Sequence, residues 1–470
     1  MSAAPGRPKQ ANTPSGGSDA REAASVGAPS PPRFVTGSLF RHVVVMASTG
    51  AVGLVAVFAV DLINLFYISR LGEKEIAAAV GFAGVVSFFH LSLCIGLMIG
   101  LTAVVSRTLG AQKRDEARRI ATSGLVLMVA LTLIMGSGSS LFLGPIVAGL
   151  GATGETARLA QGYLSITVHS LPLMGIGMAC SALLRSVGDA KRSMNVTLGG
   201  AVVTAVLDPV FIFGLDLGLN GAAIVVWLSR SMMVALALHG VLRQHKLLSR
   251  FDSSLLRPHA KLLASVAGPA VLTNLATPVA AAFVTHSIAS FGPSATAGQA
   301  TIDRVTPVAF GLIYSLSGAV GPILAQNLGA REFGRVRQGL KDSLTFMVVA
   351  VAAAWLILAL CQGPLIRAFS LEGQAALMVH AFCSWLAASF FFAGSLFVAN
   401  AAFNNLGKPL WSTGFNWARA TIGTIPFVWW GAQYGPVAVL ASQAVGTAIF
   451  GLGALWMAFR LTVKLSESNP

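Results

Sequence analysis

The chain reads as an all-α polytopic membrane protein: twelve transmembrane helices in two pseudo-twofold six-helix lobes. Three observations carry that expectation. Hydrophobic residues fill 55% of the 470 positions and charged ones only 10%, with mean hydropathy +0.74, where a soluble globular chain carries about 25% charged residues. A window of about 19 residues resolves twelve apolar segments. Finally, sequence blocks recur at one fixed offset.

In chain order, residues 1–33 are rich in Ser, Ala, Gly and Pro without apolar periodicity, and a disordered cytoplasmic tail is expected. The first apolar stretch starts only near His42, at the length of a full span, so no cleavable signal is expected. Apolar segments begin near residues 42, 76, 121, 157, 193 and 219, giving an N-terminal lobe over 34–242. Others begin near 262, 295, 339, 374, 410 and 435, giving a C-terminal lobe over 262–462. A basic cytoplasmic linker at 243–261 joins them, and a short tail follows at 463–470. Glycines inside spans, such as Gly96 and Gly100, mark close helix approach.

The loops alternate in charge. Even-numbered loops and the first tail hold nearly all the loop Lys and Arg, among them Lys113, Arg114, Arg118, Arg119, Lys191, Arg192, Arg331, Arg335 and Arg337. Odd-numbered loops carry Arg70, Lys74, Arg158 and Arg367. By the positive-inside rule both termini are cytoplasmic. The net charge of +15 is then a topology signal and not a nucleic-acid footprint. Cys94, Cys180, Cys361 and Cys383 sit in apolar runs without metal-ligand spacing, and neither a disulfide nor a metal site is expected.

The repeat is explicit. SRTLGAQKRDEARR from Ser106 is answered by AQNLGAREFGRVRQ from Ala325, an offset of 219, and the same offset carries Gly188 of LLRSVGDAKRSM onto Gly407 of FNNLGKPLWST. SRLGEKEIAAAVG from Ser69 and ASFGPSATAGQAT from Ala289 match at 220. Because six is even, the halves share one orientation about an axis along the membrane normal, an arrangement suited to alternating access.

The blocks VDLINLFYISRLGEKEIAAAVG, VSRTLGAQKRDEARR, LLRSVGDAKRSMN, LDPVFIFGLDLGLNGAA, LAQNLGAREFGRVR and NNLGKPL, in this order and spacing, resemble those of the MATE (multidrug and toxic compound extrusion) family. The resemblance covers residues from about 40 to 460 of both halves. It implies a V-shaped antiporter that expels lipophilic organic cations in exchange for H+ or Na+. It also implies that acids in the first and fifth helices line the N-lobe cavity and bind the coupling ion.

Few ionisable residues fall inside spans: Asp61, Asp208, Arg230, Asp303, Arg304 and Arg419, with several histidines. A mid-membrane carboxylate costs from about 2.5 to more than 10 kcal/mol, so each is a functional candidate by default. Pro209, lacking an N–H, leaves the Ala205 carbonyl free beside Asp208. Asp61 precedes Asn64 by three residues, on one helix face. The expected coupling-ion set is Asp61, Asn64, Thr204 and Asp208. Family members with a well-formed sodium site carry Asn and Thr where this chain has Thr204 and Val226, so protons are favoured over sodium; sodium would instead recruit Asp61, Asp208 and the Ala205 carbonyl. The first span has no proline to bend it, and Ala281 stands at the repeat equivalent of Asp61, so no C-lobe coupling acid is expected.

His169, Arg230, Asp303, Arg304 and Arg419 are read as cavity or lobe-interface residues, and His90, His286 and His380 as satisfied imidazoles. Phe88, Phe89, Met174, Met178 and Phe390 to Phe392 are core or lipid-facing, some lining the cavity. A small-molecule organic cation as substrate, the bilayer as partner, a monomer in the cell membrane, and no cofactor beyond the coupling ion are expected. A lipid-linked saccharide flippase would need a cluster of cavity cations, and a membrane-embedded enzyme would need loop motifs; neither is found.

Overall fold

Inside a bilayer each backbone polar group must be satisfied within its own segment or by a neighbour. The computed structural model describes residues 32–70 and 74–467, and in these the chain forms helices and turns only. The tail expected over residues 1–31, the first-loop residues 71–73 and the terminal residues 468–470 lie outside them.

The N-terminal half comprises α1 (Leu39–Arg70), α2 (Lys74–Gly110), α3 (Arg114–Leu141), α4 (Gly154–Ser186), α5 (Ala190–Gly214) and α6 (Gly218–Gln244), with a short helix Leu143–Gly149 between α3 and α4. The C-terminal half comprises α7 (Leu256–Ala289), α8 (Pro293–Ala309 and Gly311–Gly329), α9 (Phe333–Ala368), α10 (Gly373–Ser384 and Leu386–Asn405), α11 (Pro409–Ala420 and Ile425–Gly431) and α12 (Pro436–Glu467). Ten are long and apolar enough to cross a membrane, and α8 joins them as a span bent by 48°. The remaining apolar segment is α11, two short helices parted at 421–424.

Helices α3, α5, α7 and α9 begin three to seven residues ahead of their apolar runs. In α3 the added turn carries Asp115 and Glu116, where the helix dipole favours acids. Three expected boundaries move for the same reason of helix continuation or packing. The linker shrinks from 243–261 to 245–255, the tail expected from 463 is helical to Glu467, and Arg33 belongs to the fold, donating to the Gly188 carbonyl at 2.8 Å.

The twofold relation appears as reciprocal packing. Helix α1 packs on the second arm of α8, and α7 on α2. Where α2 and α8 cross, a Cβ added to Gly110 would fall on the Gln326 carbonyl, and one added to Gly329 on the Arg107 carbonyl. Both the glycines and the carbonyls are related by 219 residues. Lipid tails are as apolar as Leu, so small residues and close backbones do the joining. Gly96 and Gly100 behave as expected: their Cβ atoms would lie 2.9 Å from the Val271 nitrogen and the Leu263 carbonyl of α7. Gly188 and Gly407, again 219 apart, both take the left-handed conformation, with φ of 81° and 86°, that ends α4 and α10.

Asp189 fastens the basic-loop end of the N-lobe. It caps α5, accepting the Arg192 N–H at 3.2 Å, pairs with the Arg192 guanidinium, and stands 2.7 Å from His245 Nε2. Burial works against its charge, but the hydrogen bonds from His245 and Arg192 outweigh it and hold the carboxyl below the usual carboxylate range. A depressed folded value stabilises above the ordinary pKa of about 3.9 and is lost as the pH falls through the folded one. Asp189→Ala is expected to cost about 1 kcal/mol at pH 7. Thermal melts should show that difference shrinking below the ordinary carboxylate range.

Candidate functional site

Helices α1 and α5 run in the same direction and pack along their length. A Cβ at Gly53 would meet the Thr197 Cβ at 3.3 Å. Further along both helices, Tyr67 meets Phe213 edge-on with ring centroids 5.9 Å apart. Between these anchors, the pairing places Asp208 within one turn of both Asp61 and Asn64.

Asp208 is 1% exposed, and neither carboxylate oxygen has a hydrogen-bond partner. Asn64 Oδ1 is buried and likewise unpartnered. Asp61 lies less than a turn away on α1 and is exposed. Among the described residues no hydrogen bond joins Asp61, Asn64 and Asp208 directly. Thr204 is half-buried and donates to the Gly200 carbonyl of its own helix at 3.1 Å, an oxygen that also accepts from Ser229 of α6 at 2.9 Å. Half-buried Ala205 is one turn before Pro209, and there α5 does not stop. It widens into a π turn over Val210–Gly214, with the Leu215 N–H reaching the Val210 carbonyl at 2.9 Å. Such turns are frequent at functional sites.

Two further helices close on this pair. Tyr163 of α4 is half-buried and packs on the apolar cluster that holds Leu164 and Leu219. Arg230 of α6 donates to the Thr167 carbonyl at 3.1 Å and to Ser170 Oγ at 2.6 Å. Thr167 immediately precedes and Ser170 ends the 3-10 turn Val168–Ser170 that interrupts α4, so Arg230 holds the break. His169 lies in the same turn with Nδ1 2.6 Å from the Ser165 carbonyl, and His90 Nε2 is 2.8 Å from Ser139 Oγ.

The other candidates belong to the C-lobe. Gln299 Nε2 donates to Asp303 Oδ1 at 2.8 Å, while exposed Arg304 forms no ion pair among the described residues. Adjacent residues point about 100° apart on a helix, which keeps these two from pairing. Arg419 Nε is buried without a partner. Tyr314 joins an aromatic group at the bend of α8, where Phe310 and Phe390 stack with centroids 3.8 Å apart.

Two residues escape the sequence reading. Tyr163 is one of only four tyrosines, and a phenol within an apolar run was the available signal. Arg185 looks like a loop residue but lies inside α4, where its guanidinium donates to Ser193 Oγ and contacts Met98 Sδ, both at 3.0 Å. All four cysteines are free, and no metal-ligating group of three occurs among the described residues.

The sequence profile of the MatE family matches residues 51–210 and 269–430, more than half of the chain. The chain is 28% identical over 425 residues to the FAD transporter of Shewanella oneidensis, covering 88% of this chain and 93% of that protein. It is 23% identical over 422 residues to the probable multidrug resistance protein YoeA of Bacillus subtilis, covering 86% and 87%. Among solved structures, the Vibrio cholerae MATE transporter VcmN in its bent form is similar with a TM-score of 0.86 at 23% identity, over 92% of this chain and 98% of that one. That last likeness shows the fold.

Proposed function

The chain belongs to the MATE family of multidrug efflux transporters, a multi-pass protein of the cell membrane, and on that premise we propose that it is a proton-coupled antiporter exporting lipophilic organic cations. The observation that carries the reading is Asp208: a carboxylate fully inside the N-lobe with both oxygens unpartnered, within one turn of Asn64 and its unpartnered oxygen. Three acceptors without a donor cost about 1–3 kcal/mol each, more for a charged one. A proton on Asp208 removes the charge and supplies a donor in one step. Asp61, exposed less than a turn from Asn64, is the acid through which the proton arrives or leaves. No cofactor beyond the coupling ion is invoked, the termini are assigned to the cytoplasm, and the unit is a monomer.

Sodium would use the same acceptors with more ligands. Thr204 replaces the amide carbonyl of the sodium-site pattern and the Val226 side chain offers no oxygen, which favours the proton. Vesicles decide it: export of a lipophilic cation driven by ΔpH without sodium is expected to persist, and a sodium gradient without ΔpH is expected to drive little. A requirement for the sodium gradient would overturn the proton reading and make Asp61, Asp208 and the Ala205 carbonyl the ligands.

A second reading of the substrate follows from the relative named a FAD transporter, whose cargo is anionic. Exposed Arg304, without an ion pair among the described residues, and the unpartnered Nε of Arg419 favour it in the C-lobe. The same vesicles discriminate, since export of FAD and not of the cation would replace the substrate class while leaving the coupling site.

A further inference from the structure

Ahead of α1, residues 32–37 make a tight turn, with the Val35 N–H on the Pro32 carbonyl at 3.1 Å, in the seam at the end carrying the basic loops. Phe34 is 1% exposed and lies between the lobes. On the N-lobe side, Arg33 donates to the Gly188 carbonyl, and a Cβ at Gly188 would meet the Phe34 ring at 3.1 Å. On the C-lobe side, the Phe34 N–H donates to Gln326 Oε1 at 3.0 Å. Its carbonyl accepts from Asn327 Nδ2 and from Arg335, each at 3.1 Å. Gln326 closes the circuit by donating to the Ser186 carbonyl of the N-lobe at 2.6 Å. The backbone carbonyl of that same Gln326 abuts Gly110.

Ser186 and Gly188 move with one lobe, and Gln326, Asn327 and Arg335 with the other. Opening the cleft at this end must therefore pull Arg33 and Phe34 from one set of partners. We infer that Arg33–Phe34 is an interlobe latch: seated, it holds the basic-loop end shut, and its withdrawal is a step in opening that end. The contacts are hydrogen bonds to carbonyls and amides together with a buried ring, with no ion pair among them, so the latch is insensitive to ionic strength. The inference rests on the alternating-access reading, and its test separates the two.

Spin labels on Lys191→Cys in the first turn of α5 and Arg331→Cys in the turn ahead of α9, one exposed site on each lobe, report the separation by double electron–electron resonance in the full chain in nanodiscs. Cys361→Ser removes the exposed native thiol. The parent is expected to show a short and a long distance whose proportions respond to pH and substrate. A single distance under every condition would remove alternating access, and the latch with it. With two populations present, Phe34→Ala is expected to raise the long one by about tenfold, the order that burial of a phenylalanine supplies. A lowered melting temperature with unchanged proportions would overturn the latch and leave Phe34 a fold anchor. Should Phe34→Ala not be recovered folded, Arg33→Ala, which loses one hydrogen bond at the surface, is expected to shift the proportions in the same direction by less. No shift in that variant would also overturn it.

Discussion

Asp208→Asn is expected to abolish ΔpH-driven export, to the level of protein-free vesicles, while leaving the protein folded and inserted. The amide keeps the shape of the side chain and supplies the donor that the unpartnered acceptors lack, as a protonated carboxyl would, but it cannot release a proton. The variant is thus fixed in the state that the bound proton creates. Its melting temperature should be no lower than that of the parent, because a buried carboxylate without a partner is itself a cost. Export at the parental rate, at equal reconstitution, would remove Asp208 from the coupling step. Asp61→Asn tests whether the two acids act as one site. If they do, their protons come off in coupled steps that belong to the pair, and substrate-induced proton release from detergent-solubilised protein falls in either variant. Unchanged release in Asp61→Asn would limit the site to Asp208.

The second large effect is expected at the crossing of α2 and α8. Gly110→Ala and Gly329→Ala should each destabilise the protein by about 3 kcal/mol or more, the upper range for overpacking. The added Cβ meets backbone: the Gln326 Cα at 2.7 Å in one case and the Ala111 nitrogen at 2.9 Å in the other, beside the carbonyls already described. Backbone of a packed helix cannot swing aside as a side-chain end can. Two consequences distinguish this from ordinary crowding. Alanine should be nearly as damaging as valine, since the first carbon is already in conflict. The double variant should cost less than the two singles together, because a seam opened by one substitution accommodates the other. Thermal melts of the purified variants measure both, and a Gly110→Ala protein that melts with the parent would refute the close crossing.

Much of this was legible in the sequence because it depends on quantities that hydropathy and spacing record directly. Twelve apolar runs, basic residues in alternate loops, and blocks repeating at 219 positions determined the helical architecture and its two related halves. The left-handed turns at Gly188 and Gly407 follow from local backbone needs that glycine announces. A carboxylate beside Pro209 stood out because acids inside spans are costly. Which face of a span meets protein and which meets lipid was not legible, since lipid tails are as apolar as the side chains of a core. Tertiary packing alone decided that Asp208 is enclosed while Asp61 is exposed, and that Arg185 turns inward from the end of α4. It decided too that Arg230 is bound to the break in α4, a contact between residues 60 and 63 positions apart that no local pattern encodes. Phe34 shows the difference most plainly. Its flanking sequence, polar and rich in Pro and Ser, reads as tail, yet the ring is buried because two lobes, assembled from helices hundreds of residues apart, leave at their seam a site that one aromatic side chain fills.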